Sequence, residues 1–295
     1  MMITFADLVG PSAPIRKLFD GLQWAEGPVW VADDRRLLVS DIPANRILSW
    51  TAEAGASIHR SDSSRANGNA IDTKGRLVTC EHATRRVTRT EADGTIIVLA
   101  DRFQGARFNS PNDLIVLRDG TVLFTDPDYA LLSALYTIEG THEIGGNHVY
   151  RIDPESGAVT ILLADFDKPN GLAVSPDETL LYVADSGRTH RLNGPHHVRT
   201  FSLSPRYEPM ECGPTIEIAP GVPDGLKIDS LGNLWISAHD GVHCHAPDGR
   251  FLGKIDVPEI VANLAFGGDG GKTLFIAAST SVYAINLEVS GAGWS

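Results

Sequence analysis

Short apolar runs separated by turn residues fill this chain, and one phrase of them recurs. In PNDLIVLRDGTVLFTDPD, which starts at Pro111, an apolar run from Leu114 to Leu117 meets a turn at Asp119-Gly120. A second run, Thr121 to Thr125, ends on Asp126, so the phrase reads as a hairpin. It recurs from Pro169, from Pro223 and, more loosely, from Ala66, and the segments from Glu26 and Val261 fit the same pattern. The copies lie roughly 40 to 60 residues apart and each is followed by further short strands, the signature of β-propeller blades. Six copies predict an all-β, six-bladed β-propeller, with residues 1–295 as a single domain. The last copy offers only three strands, Leu264 to Phe266, Thr273 to Ala277 and Val282 to Leu287. The segment Pro14 to Phe19 has no other partner, so an N-terminal strand is expected to complete the last blade and close the ring. A β-sandwich seldom repeats one phrase six times, and a solenoid has no need of a returning terminal strand. Helix is expected only within Asp128 to Ile138.

Aligning the turns places Glu26, Asn67, Asn112, Asn170, Asp224 and Ala262 at one structural position, the start of the first strand of each blade. First strands line the channel, so five oxygen-bearing side chains should face one another around the axis. A single Asn before a strand is ordinarily a turn residue, but turn chemistry does not account for Glu26 and Asp224 at equivalent places. Carboxylates brought this close repel unless a cation intervenes. Two carboxylates with asparagine carbonyls form a hard-oxygen set suited to calcium, magnesium or manganese. Second strands return to the same end, so their closing residues are expected to rim the cation, with His82 and His239 among them. The segments Pro127 to Asn147 and Gly187 to His196 are insertions at that end. Leu131, Leu132, Leu135 and Tyr136 would give the first an apolar underside, as a lid over a small ligand needs.

Composition narrows the function. Asp plus Glu number 37 against 25 Lys plus Arg, a net charge of −12 that repels phosphate backbones and counts against nucleic acid. No apolar run reaches the roughly 20 residues of a membrane helix, and the first residues lack the form of a secretory signal. Three cysteines without ligand spacing argue against disulfides and zinc-thiolate sites. A cytoplasmic location is the expectation.

EGPVW around Glu26, RFNSPNDL from Arg107, DKPNGLAVSPD around Asn170 and PDGLKID around Asp224 together resemble the senescence-marker/gluconolactonase family, and CEHATRRVTR from Cys80 resembles its bacterial gluconolactonase branch. The resemblance runs from about residue 14 to 287. It implies a six-bladed propeller with a divalent cation in the channel, most readily calcium, with magnesium, manganese or zinc as alternatives. By it, Glu26, Asn112, Asn170 and Asp224 match the cation ligands, and Asp224 also matches the catalytic base. Asn67, Arg107 and Asn109 resemble residues that contact the sugar, and His82 and His239 join them as candidate substrate-binding residues. The implied activity is hydrolysis of a small sugar-acid lactone. The cation would polarise the carbonyl, and either Asp224 would take a proton from water or the cation would supply hydroxide that Asp224 orients. A serine nucleophile is disfavoured, since no GxSxG elbow surrounds Ser110, Ser186 or Ser237. The alternatives are a hydrolase of other esters, such as phosphotriesters, and a non-catalytic calcium- or ligand-binding propeller.

Overall fold

A computed structural model describes residues 3–10 and 14–293. It is a six-bladed β-propeller, and the apolar alternation along each hairpin explains its packing. The first blade runs Ala25–Val31, Arg36–Asp41, Arg46–Thr51 and Gly55–Ser61 from the axis outward. The second, third and fifth blades begin at Ala66, Leu114 and Leu226 and follow the same order. In the fourth, the outer position is split between Pro209–Glu211 and Ile216–Glu217, which both pair with His197–Leu203. In the sixth, Val261–Gly267, Thr273–Ala278 and Ser281–Asn286 are joined by Arg16–Asp20, which pairs antiparallel with Ser281–Asn286.

The second strand of each blade is covered on both faces, so its residues are apolar almost without a break. Alternate side chains then enter different junctions. Leu37 and Val39 pack against the sixth blade, whereas Leu38 turns to the second. Leu181 and Val183 face the third blade, and Tyr182 and Ala184 the fifth. One apolar cluster fills each junction around the ring, including the one between the sixth and first blades. The turns obey local chemistry. Asp119 Oδ1 accepts from Thr121 N at 2.8 Å, while Gly120 takes φ 90°, a conformation open to glycine.

Helix content departs from expectation in two places. The insertion holds only the short turn of helix Tyr129–Leu132. A further helix, Phe5–Val9, precedes the first strand, and its Leu8 is buried beside Trp235 in the junction of the fifth and sixth blades. A lone five-residue amphipathic segment gives too short a period to read from sequence. Among the described residues no helix is long and apolar enough to cross a membrane.

Candidate functional site

Four of the six first strands carry an irregularity in their pairing, that of the sixth blade between Val261 and Asn263. The pairing register slips between Glu26 and Val29, between Ala66 and Asn69, and between Pro169 and Leu172. Such bulges re-aim side chains. A glycine stands directly after the ring residue in four blades, Gly27, Gly68, Gly171 and Gly225, and the first three of these lie within the irregular stretches. These glycines let neighbouring blades touch by backbone. Gly171 N donates to Asp224 O at 3.0 Å, Gly68 N to Asn112 O at 2.8 Å and Gly225 N to Ala262 O at 2.7 Å. A Cβ on Gly171 would stand 2.2 Å from Asp224 O.

The result is a cavity of about 350 Å³ at one end of the channel. Glu26, Asn67, Asn112, Asn170 and Asp224 line it, so five blades each contribute one oxygen-bearing side chain. Ala262, the sixth aligned position, is buried and adds no polar atom. Tyr129 and Leu132 to Tyr136 of the long insertion cover this end, whereas Leu131 does not line it, and Thr189 and His190 of the second insertion join them. Both insertions therefore lie where their position after returning strands requires.

The lid is tied at three points. Asp128 at its base pairs with buried Lys168 of the fourth blade and with His142 Nε2 at 3.0 Å. Its returning arm is held by Arg85, fully buried, which donates to Thr141 O and Phe108 O and pairs with Glu143. At the tip, Tyr136 Oη lies 2.5 Å from His82 Nδ1, and His82 Nε2 lies 3.2 Å from Asn67 Nδ2. The Arg65 guanidinium covers the Tyr136 ring. Burial holds the His82 imidazole down at about 3, so it is neutral at ordinary pH.

The electrostatics of the floor are acidic. Burial pushes Asp224 well above the usual carboxylate range, and repulsion from Glu26 and Asp113 adds to it. Burial likewise raises Glu26, opposed by the Gly27 N–H and Asn263, with Asp113 again repelling. No Lys or Arg side chain lines the cavity among the described residues. Asn170 lies beside Asp224, whose carboxyl it favours in the charged form, and donates to Ser186 Oγ at 3.2 Å. Among the described residues no three His, Cys, Asp and Glu side chains gather as for a metal. The oxygen set at this floor draws half of its four expected ligands from asparagine. Two buried carboxylates with amide oxygens and no Lys or Arg in the described cavity lining fit a hard divalent cation, which would relieve the repulsion that adds to burial in raising both carboxyls.

Three expected contacts lie elsewhere. Arg107 donates from Nη2 to Thr84 O at 3.0 Å, and its backbone N–H goes to Glu143. Asn109 is buried, with Nδ2 donating to Gly146 O and Asn147 Oδ1. Both fasten the lid arm outside the cavity. His239 is exposed and packs over Gly221. Closeness in sequence to a ring residue does not fix where a side chain points once the strand bulges.

The expected acidic rim is also differently employed, since of its residues only His82 lines the cavity. Asp41 accepts from Gln23 N and Trp24 N, Asp126 from Asn109 N and Ser110 N, and Asp185 from Asp167 N and Lys168 N. In these three blades the aspartate closing the second strand holds the backbone two or three residues ahead of the ring position. It sets where Glu26, Asn112 and Asn170 enter the cavity.

Two polar residues escaped the sequence reading. Asp113 and Asn263 occupy the position that is glycine in the other four blades. They come from the third and sixth blades, which stand opposite each other. Asn263 Nδ2 lies 3.2 Å from both Asp113 Oδ2 and Glu26 Oε2, so it bridges the axis behind the floor. The signal was the break in an otherwise regular pattern of ring residue then glycine.

A family profile described as "SMP-30/Gluconolactonase/LRE-like region" matches residues 24–280. A gluconolactonase of Zymomonas mobilis is 36% identical over 95% of this chain and 83% of its own length. A pentonolactonase of Haloferax volcanii is 29% identical over 86% of this chain and 81% of its own. Among solved structures, a gluconolactonase from Xanthomonas campestris superposes with a TM-score of 0.86 at 34% identity, covering 96% of this chain and 91% of that one.

Proposed function

The chain belongs to the SMP-30/gluconolactonase/LRE-like family, and on that premise we propose that it is a lactone hydrolase that acts on sugar-acid lactones with a divalent cation. The observation that carries this reading is the convergence of Glu26, Asn67, Asn112, Asn170 and Asp224 from five blades on one covered cavity. The gluconolactonase and pentonolactonase relatives support lactones as the substrate class.

Glu26, Asn112, Asn170 and Asp224 would hold the cation, with calcium the best match to an all-oxygen set. When bound, the cation supplies Lewis-acid polarisation of the lactone carbonyl. Asp224 takes a proton from the attacking water. Its backbone N–H is fixed by Ser237 Oγ at 3.1 Å and its backbone carbonyl by Gly171 N at 3.0 Å, which keeps the base in place. Water adds its hydroxyl to the carbonyl carbon, the acyl C–O bond breaks, and the ring oxygen leaves with a proton. Asn67 offers its side-chain oxygen to the substrate from the side wall, and neutral His82, held between Tyr136 and Asn67, orients that amide. The closed lid keeps bulk water from competing for the carboxylates.

The test is acid release from a panel of lactones by metal-stripped protein, with cations restored singly and spontaneous hydrolysis subtracted. Catalysis that depends on an added cation is expected. Metal-stripped protein as active as the restored enzyme would remove the cation, and inactivity on every lactone would remove the hydrolase reading.

A further inference from the structure

The cavity has two unlike halves. Its floor is the ring of carboxylate and amide side chains. Its roof is largely apolar, with Trp24, Ile42, Leu132, Leu135 and the rings of Tyr129 and Tyr136 alongside Ser133, Thr189 and His190. The tyrosine hydroxyls are already engaged, Tyr136 with His82 and Tyr129 with Thr189 Oγ1 at 3.0 Å. The charged side chain once expected to orient a sugar, Arg107, lies outside, as do Asn109 and His239. Leu132 and Leu135 are 48% and 65% exposed although they border this cavity. Large apolar side chains left in water at the mouth of a ligand cavity gain by being covered.

We infer that the lid selects uncharged lactones bearing a hydrocarbon substituent, such as an alkyl or deoxy-sugar end, which lies against Leu132, Leu135 and the two tyrosine rings while the carbonyl faces the floor. The inference rests on the lactone-hydrolase reading and deepens it. A hydroxyl placed against Leu132, Leu135 and the faces of the tyrosine rings gives up water and gains no partner there. A methylene placed there leaves water for an apolar surface. The substituent takes no part in bond making, so its effect is on kcat/KM through binding.

The test compares kcat/KM of the cation-loaded protein for glucono-δ-lactone, for unsubstituted δ-valerolactone and for a δ-lactone carrying a butyl chain. Spontaneous hydrolysis is subtracted. The butyl compound is expected to exceed δ-valerolactone by at least roughly tenfold. A double variant, Leu132→Ser with Leu135→Ser, is expected to bring that ratio close to one; both side chains are half exposed or more, so the fold tolerates the change. A ratio at or below one in the wild type, with hydrolysis of gluconolactone intact, overturns the inference and leaves the hydrolase reading standing. A ratio that the folded double variant leaves unchanged also overturns it. Hydrolysis of none of the three by cation-loaded protein overturns the hydrolase reading and the inference with it.

Discussion

Replacing Gly171 by alanine tests whether backbone contact between blades sets the site. The added Cβ would stand 2.2 Å from Asp224 O, 2.7 Å from Gly225 Cα and 3.0 Å from Gly225 C. Ordinary carbon contacts are about 3.5–4.0 Å, so the fourth and fifth blades must part by roughly 1 Å at the axis. Overpacking of this kind costs about 1–3 kcal/mol. Parting the blades also breaks the buried hydrogen bond from Gly171 N to Asp224 O, 3.0 Å long, at about 1–3 kcal/mol. A loss of about 2–6 kcal/mol is expected. The displaced backbone is that of Asp224, and a misplacement of about 1 Å costs on the order of 100-fold in turnover. Denaturant unfolding and lactone hydrolysis at saturating cation measure the two effects. Gly145→Ala is the control, because nothing lies within 4 Å of its added Cβ and such surface changes stay within about 0.5 kcal/mol. Gly171→Ala matching that control in both stability and rate would refute the reasoning.

Asp224→Asn keeps a carbonyl oxygen but cannot accept a proton, so turnover should fall by about 10²–10⁴ and stay low at saturating cation; recovery near the wild-type rate there would reject Asp224 as base. Asp229 is buried and accepts from Leu231 N, Asn233 N, Asn233 Nδ2 and Trp235 Nε1. Asp229→Ala should therefore destabilise by about 3–5 kcal/mol, read as a shifted denaturation midpoint with the cation site still able to bind. His82 is buried and neutral, with its pKa held down at about 3. The unfolded chain takes up that proton below about 6.5, so this residue lowers stability progressively as pH falls from there toward 3. His82→Gln should flatten that part of the acid limb, and an unchanged slope would contradict burial of the neutral ring.

The blades and the ring were legible because both rest on local patterns. Short apolar runs on either side of turn residues define hairpins, and aligning the turns brings Glu26, Asn67, Asn112, Asn170 and Asp224 to one level. The lid was legible from the length of the insertion and its place after a returning strand. Contacts made across the axis were not. Asn263 meets Asp113 and Glu26 only because their blades are opposite and adjacent in a closed ring, and nothing near Asn263 in sequence announces that. Arg107 and Asn109 misled because they sit beside Asn112 in the chain, yet the loop around them is spent on anchoring the lid. The aspartates that close the second strands misled in the same way: acidic residues near a cation site were taken for its rim, whereas they organise backbone.

The sixth blade joins Arg16–Asp20 to Ser281–Asn286, the widest sequence separation of any strand pair described here. On the ribosome the first of these strands emerges long before its partner exists. Through nearly all of synthesis it is an unpaired edge, open to pairing with a wrong chain. Its lysine and arginine, Lys17 and Arg16, suit that wait, since charge discourages edge-to-edge association. The loop it finally closes is long, but closure entropy grows only with the logarithm of length, about 0.6 kcal/mol per doubling. The delay therefore falls on rate more than on stability. Newly made chains should pass through a stage with five blades assembled and the last incomplete, the stage at which a chaperone would have most to protect.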